Sequence, residues 1–399
     1  MSWDTVELAS VADINPRMPK GLSGDLEVSF LPMAAVSEDG QIDYQEERTL
    51  EKVRKGYTYF QRGDVLVAKI TPCFENGKAT KTDALDEEHG FGSTEFHVIR
   101  GNPNELLPEY AFHLVWNPFF RKEGAANMTG SAGQKRVPAD FLKRLKIPLP
   151  PLEEQRRIAG ILDAADALRR RRRAALALLE TLPEAIFAEM FGDRLSKKDG
   201  EPNFVPLSAI AHIQSGITKG RKLKPDQEAY ETPYLAVANV QDKRLDLNNV
   251  KTIEATEKER ERYALAVGDL LLTEGGDPDK LGRGTVWNDE FPGAIHQNHI
   301  FRVRVTDEKV LPVFLSHLLS SPHGRGYFLR MAKQTTGIAS INKTQLSEFP
   351  VFLPEEYEQV EFTRRLQSYQ AQKDRYMLHL AHLESGFASL QSRAFAGEL

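Results

Sequence analysis

The sequence predicts an α/β fold made twice over, in the order globule, long helix, globule, long helix, and three observations predict it. The chain repeats itself at an offset of 204 positions: Leu149-Pro150, Gln155 and Leu179-Glu180 recur as Leu353-Pro354, Gln359 and Leu383-Glu384. The end of each repeat carries apolar residues at alternating spacings of four and three, the seam of a helix that packs on another helix. Each of these helices starts directly after proline, Pro148-Leu149-Pro150-Pro151 or Pro354, where a missing amide donor is tolerated in a first turn and the preceding residue favours extended backbone.

The seam of the second copy runs through Phe362, Leu366, Tyr369, Lys373, Tyr376, Leu380, Leu383, Phe387, Leu390 and Ala394, and only Lys373 breaks it. The first copy answers with Ile158, Leu162, Ala165, Arg169, Arg172, Leu176, Leu179, Pro183, Ile186 and Met190. About forty residues at roughly 1.5 Å each span about 60 Å, longer than a helix buried in one core, so each helix reads as a spacer. The expected division is a globule over 1–150, a helix over 151–195, a second globule over 196–352 and a second helix over 353–399.

The globules repeat as well. Val6 to Ile14 resembles Val205 to Ile213, and Phe30 to Val36 resembles Tyr234 to Val240. Gly63-Asp64 and Gly268-Asp269 each open a turn before a buried apolar strand, and Phe96 to Arg100 and Ile300 to Arg304 read as another strand. Leu107-Pro108 and Leu311-Pro312 each open a helix, and Thr129-Gly130 meets Thr336-Gly337. The loops differ where the strands agree: the segment from Lys69 to Lys78 faces an unrelated one from Thr273 to Arg283. One scaffold with two sets of loops is how related modules read different targets.

With 399 residues the chain exceeds one ordinary core, and 41% hydrophobic against 27% charged residues describes a folded globular protein. A single cysteine, Cys73, excludes an internal disulfide framework and a cysteine-based zinc site, and it fits the cytoplasm. MSWDTVELAS lacks a basic stretch followed by an apolar core, so no secretory signal is expected there. The net charge of -5 conceals two basic regions. Between Phe119 and Ile147, Arg121, Lys122, Lys135, Arg136, Lys143, Arg144 and Lys146 face only Glu123 and Asp140; Lys219, Arg221, Lys222 and Lys224 form the second.

The runs IPLPPLEEQRRIAGIL from Ile147 and PEEYEQVEFTRRL from Pro354, the closing LQSRAFAGEL, and the Gly-Asp-apolar strand before each variable loop together resemble the specificity subunit of a Type I restriction-modification enzyme. The resemblance covers both halves. It implies two mixed α/β target recognition domains, separated by two long helices that form an antiparallel coiled coil in a pseudo-twofold internal repeat. It implies a non-catalytic, sequence-specific DNA-binding subunit whose halves each read one part of a bipartite double-stranded target. Two modification (methyltransferase) subunits would dock on the helices and carry S-adenosylmethionine, with none on this chain, and restriction (translocase/nuclease) subunits would complete the complex without a membrane.

Catalytic patterns are weak. Asn117-Pro118-Phe119-Phe120 is similar to the Asn-Pro-Pro-aromatic loop of adenine methyltransferases, but the second proline is replaced and no glycine-rich cofactor loop follows an N-terminal strand. A helix end with Trp116 and Phe119 packed inward is expected instead. Asp277-Pro278-Asp279-Lys280 lacks the further acid of a nuclease site, and no GxxxxGK[ST] phosphate loop exists. His296 and His299 lie beside a strand, not on an HExxH helix, which predicts core or surface roles.

DNA binding calls for Lys, Arg and backbone amides on phosphates, and for Arg, Asn, Gln, Ser or Thr on base edges. The glycine-hinged loops ahead of the helices supply both: Thr129, Ser131, Gln134, Lys135 and Arg136 in the first half, Thr336, Ser340, Asn342 and Lys343 in the second. Further candidates are Lys69, Thr71, Lys78 and Lys81; Lys219, Arg221 and Lys222; and Arg283 with Gln297 and Asn298. Arg169 to Arg173 circle the helix, so some must meet anions: DNA phosphates, acids of the partner helix or acids of a docked subunit, the others being solvated. The competing function is a two-lobed protein–protein interaction scaffold without DNA readout.

Overall fold

The computed structural model describes residues 3–131, 133–196, 204–224, 226–276, 281–335 and 338–399. They form two compact units: unit 1 is Met1–Ala174 with Met377–Leu399, and unit 2 is Ala175–Tyr376.

In unit 1, Thr5–Glu7 pairs antiparallel with Lys146–Pro148, seating the N-terminal segment beside the proline run. A four-stranded antiparallel sheet follows in the order Ala12–Ile14, Phe96–Gly101, Val65–Ala68, Ala79–Lys81. A second sheet orders Glu46–Thr49, Glu27–Leu31, His89–Gly92 and Thr58–Gln61, with Glu27–Leu31 and His89–Gly92 parallel. Unit 2 repeats the scheme. Phe204–Pro206 pairs with Pro350–Phe352, and a four-stranded sheet orders Ala211–Ser215, Ile300–Val305, Leu270–Thr273, Gly284–Val286. Its second sheet has three strands, Lys251–Ala255, Tyr230–Leu235 and Ile295–His296, and keeps the parallel pair. Every residue of Val65–Ala68 and of Leu270–Thr273 is buried, which is why these strands read as unbroken apolar runs instead of alternating ones.

The repeated Gly-Asp has a physical explanation in both units. Gly63 and Gly268 adopt φ of 87° and 89°, a left-handed conformation that glycine takes without steric cost. The next residue turns its carboxylate inward. Asp64 accepts the Gln61 backbone N–H at 2.8 Å and both arms of Arg100 at 2.7 and 2.8 Å. Asp269 accepts the Ala266 N–H at 2.8 Å and both arms of Arg304 at 2.7 Å. Turn, buried acid and strand end are thus one locked assembly in each unit.

The helices bear out the seam. All ten seam positions in each copy are buried or half-buried. Within unit 1, Arg157 donates to the Leu399 carbonyl and Arg173 to Glu384, both at 2.8 Å. Within unit 2, Glu180 meets Lys373 at 2.7 Å, Glu189 meets Arg365 at 3.2 Å and Glu358 meets Arg194 at 2.7 Å. Numbers rise on one helix as they fall on its partner, so the pairing is antiparallel. Lys373, the polar interruption of the seam, is the partner of Glu180.

One expectation is corrected. The first long helix is not continuous: it runs Leu152–Leu179, breaks, and resumes as Leu182–Ser196. Pro183 has no N–H to give the Leu179 carbonyl, and the Thr181 hydroxyl instead bonds the Leu178 carbonyl at 2.9 Å. The closing helix Glu356–Ala396 contains no proline and runs unbroken for 41 residues.

Three arginines of the run, Arg169, Arg170 and Arg173, are tied to acids of the chain itself. Arg169 and Arg170 both reach Asp166, at 3.1 and 2.8 Å, and the Arg169 guanidinium lies 4.2 Å over the Phe387 ring. Arg173 bridges Asp39 and Glu384. Burial pushes the Asp166 carboxyl up and the Arg169 guanidinium down, each against its partner's pull, so this buried cluster fixes geometry at the cost of desolvation.

Candidate nucleic-acid interface

In each unit the central strand of the four-stranded sheet runs out into a loop, and the segment ahead of the long helix is stitched to that loop. In unit 1 the Val137 N–H bonds the Lys69 carbonyl at 2.9 Å and the Thr71 N–H bonds the Lys135 carbonyl at 3.0 Å. Thr129 and Arg136 exchange both backbone bonds at 2.9 Å. In unit 2 the Ile341 N–H bonds the Glu274 carbonyl at 2.9 Å, and Gly275–Gly276 pairs with Ile338–Ser340. The position is the same and the side chains differ.

The unit 1 loop is anchored from below. Phe74 is buried and meets Phe120 edge-on at 5.7 Å between ring centroids, with Gly124 leaving room for it. Here Phe120 packs inward while Phe119 is 68% exposed, contrary to the sequence expectation for Phe119. Asn117 caps the helix Pro118–Ala126 by accepting the Phe119 N–H at 2.7 Å, so the Asn-Pro-aromatic run is a helix start.

The structure thus brings Lys69, Thr71, Thr129, Ser131, Gln134, Lys135 and Arg136 into one patch on the two stitched loops. Thr129, Ser131, Gln134 and Lys135 are exposed. Arg136 is committed within the patch: both its arms hold Glu95, at 2.8 and 2.9 Å, and it donates to the Gln134 carbonyl at 3.0 Å. This pairing draws the Glu95 carboxyl below the usual range. Arg136 therefore staples the loop that displays Gln134 and Lys135. Lys78 and Lys81 point elsewhere, Lys78 to the Met33 carbonyl at 3.2 Å and Lys81 to Asp163 on the long helix at 3.2 Å. Lys81 and the buried His113 share Asp163, so this lysine helps dock the helix.

In unit 2, Glu274 is joined to His299, which Asn298 flanks, and Ser340 pairs with the adjacent Gly275. The Glu274 N–H bonds the His299 carbonyl at 2.9 Å, and its carboxylate holds His299 Nδ1 at 2.6 Å. Gln297 accepts the Val237 N–H at 3.3 Å, and the Asn298 side chain lies 3.4 Å from His299 Nε2. Arg283 donates to Gln241 at 3.2 Å. Asn342 is committed as the cap of the helix Lys343–Ser347, accepting the Gln345 N–H at 2.9 Å, with Lys343 exposed at its first position. Thr336 lies outside the described residues, as does the segment Asp277 to Lys280. His296 is fully buried, and burial with nearby Arg302 brings its pKa down to about 3, so it is a neutral core residue.

Lys219 and Lys222 are exposed on a separate loop of unit 2, and Arg221 pins that loop. Its guanidinium holds Glu259 through two bonds, at 2.5 and 2.6 Å, and the Glu254 carbonyl at 2.7 Å. Arg221 first, then the bonds from Thr256, draws the Glu259 carboxyl down to about 2. A lowered folded pKa means the tie is fully present above the carboxyl's ordinary value and is lost as pH falls through about 2. Glu259→Gln is accordingly expected to speed tryptic cleavage after Arg221 and Lys222 at neutral pH, while pepsin at pH 3 to 4 should find the wild-type loop still held.

The residues that orient these patches, Glu95, Glu274 and His299, were not among the sequence candidates. The signal was present: Glu95 and His299 stand 204 positions apart at the foot of equivalent strands.

This doubled architecture matches a known family model. The model described as Type I restriction modification DNA specificity domain matches residues 1–178 and again residues 201–376. The chain belongs to that family. Among its relatives, the EcoEI specificity subunit of Escherichia coli is 44% identical over 160 residues, 40% of this chain but 27% of that protein. The matched part is therefore about a quarter of that relative's length. The EcoKI specificity subunit of Escherichia coli strain K12 is 26% identical over 314 residues, 74% of this chain and 67% of that one. For the fold, a chain from a structure of the complex assembly and conformational transition of the type I R-M system covers 100% of this chain and 98% of its own, with a TM-score of 0.66 at 20% identity. The Type I restriction-modification S subunit from M. genitalium gives 0.52 at 14% identity, covering 99% and 96%. Among the described residues, no helix of this family member is long and apolar enough to cross a membrane.

Proposed function

We propose that the chain is the DNA-reading specificity subunit of a Type I restriction-modification complex and is itself non-catalytic. Each unit binds one part of a split double-stranded target. The paired helices dock two modification subunits, which bring S-adenosylmethionine and methylate adenine, and restriction subunits join in the full complex in the cytoplasm. One observation carries the reading: both units build the same stitched pair of loops at the end of the same buried strand and furnish it with different polar side chains. A constant frame with exchanged loop chemistry is what two half-site readers of unlike sequence require.

A gel-shift titration of the purified chain against duplex DNA at rising salt tests it. Phosphate contacts make the affinity fall steeply with salt. Binding that is absent or indifferent to salt would favour the interaction-scaffold reading. The purified chain with S-adenosylmethionine is expected to transfer no methyl group to DNA; measurable transfer without partners would overturn its non-catalytic assignment. Sequencing the host's methylated bases with and without this gene would identify the two half-sites.

A further inference from the structure

Unit 2 contains a groove of about 1420 Å³ between the helices Leu182–Ser196, Pro312–Ser320 and the first half of Glu356–Ala396. The same place in unit 1, found through the 204-residue repeat, is filled by rings. There Phe112 stacks on Trp116 with centroids 5.3 Å apart, Phe387 meets Trp116 edge to face at 5.8 Å, and Arg169 covers Phe387. The counterparts in unit 2 are Ser316, Ser320, Pro183 and Lys373. Three aromatic side chains have become two serines and a proline, and Ser320, Pro183 and Lys373 line the groove.

The charge of the site changes with its volume. Asp163 and Asp166, which in unit 1 take Lys81 and Arg169, are replaced by Gln367 and Gln370, both of which line the groove. The turn between the paired Val240 and Leu245 is one residue shorter than that between Val36 and Ile42, so Lys243, at φ 55°, stands where Gly40 does, at φ 76°, and Asp242 where Asp39 does. Lys243 reaches the place that the Phe112 ring holds in unit 1, donating to the Ser316 carbonyl at 2.6 Å and its hydroxyl at 3.1 Å. Burial first, and then Arg325, bring its pKa down to about 8 against the pull of Asp242 and Glu184. It forms no ion pair among the described residues. A site that in one unit is closed by aromatic rings is, in the other, open; of the acids that line it, Glu180 is held by Lys373 and Glu184 by Arg325, which leaves the Lys243 ammonium on the Ser316 oxygens.

We propose that this groove is a docking site on unit 2 for a segment of the modification subunit that presents an aromatic side chain next to a carboxylate. The ring takes the volume that Trp116 and Phe387 occupy in unit 1, and the carboxylate meets Lys243. The proposal rests on the specificity-subunit reading and deepens it: the two modification subunits engage unlike surfaces, because the counterpart in unit 1 is already closed.

Binding of the purified modification subunit to the full chain, followed by calorimetric titration and by sedimentation, tests this. Ser320→Trp fills the groove from within and Lys243→Met removes the ammonium while keeping much of the volume. Wild type is expected to bind two copies, and each variant to weaken one of the two sites at least tenfold while leaving the other unchanged. Ser320→Trp should also unfold at or above the wild-type temperature, since it closes a cavity; if it does not fold, Lys243→Met carries the test. Variants that take up both copies with wild-type affinity overturn the groove assignment and leave the specificity-subunit reading standing. Self-association of the chain that Ser320→Trp abolishes would place a second copy in the groove and likewise overturn it. Failure of the wild-type chain to bind any modification subunit would overturn the underlying reading and the proposal with it.

Discussion

Gln155→Ala is expected to lower the stability of unit 1 by about 3 kcal/mol, and Gln359→Ala to do the same to unit 2. Both side chains are fully buried. Gln155 accepts the Leu107 N–H at 2.9 Å and donates to the carbonyls of Glu105 and Pro150 at 2.7 and 2.9 Å. Gln359 repeats this with Leu311, Lys309 and Pro354 at 2.9, 3.0 and 3.1 Å. A single amide thus satisfies the loop ahead of one helix and the proline run ahead of another. Alanine strands one donor and two acceptors in a buried place, which costs more than the bonds themselves contribute. Gln155→Glu should be worse at neutral pH, since a carboxylate would face two carbonyls, and should recover in part as pH falls and a proton restores one donor. Calorimetric unfolding of the single and double variants measures this. A loss below about 1 kcal/mol would mean that water replaces the amide.

Lys69→Ala combined with Lys135→Ala is expected to weaken binding to every duplex about ten- to hundredfold near 0.1 M salt and to flatten the slope of log affinity against log salt by about two. These two lysines belong to the unit 1 patch and have no carboxylate bonded to them among the described residues, whereas Arg136 is held by Glu95. Gln134→Ala should behave differently, leaving the salt slope intact and relaxing the choice at one half-site by about 1 to 3 kcal/mol. Arg136→Ala is expected to affect affinity and selectivity together, because it releases the loop that displays Gln134. The readout is a salt series on matched and scrambled duplexes. If the double lysine variant keeps the wild-type slope, unit 1 meets DNA with another surface.

Several positions that served as repeat markers acquire physical reasons. Gly63-Asp64 and Gly268-Asp269 are left-handed turns with an inward carboxylate, and Gln155 and Gln359 are buried clamps. Such residues are legible in a sequence because local backbone geometry or complete burial leaves few substitutes. Loop cations are less legible. Arg136, Arg221 and Lys81 have the composition of DNA-contacting residues, yet each has a carboxylate partner remote in sequence: Glu95, Glu259 or Asp163. Nothing in the local sequence announces those partners.

The sequence by itself determined the doubled plan, the buried strands, the helix seam and the family resemblance, because periodic apolar spacing, proline and repeated motifs act over short range or recur at one fixed offset. Only the tertiary structure decided which cations have carboxylate partners, that Phe119 faces outward, and that Pro183 breaks the first long helix although the seam continues beyond it. The tertiary structure also decided that one site is filled in unit 1 and open in unit 2. Trp116 and Phe387 are 271 positions apart, and whether their rings meet depends on the closing helix returning to pack on the core of unit 1, which spacing within that helix does not encode.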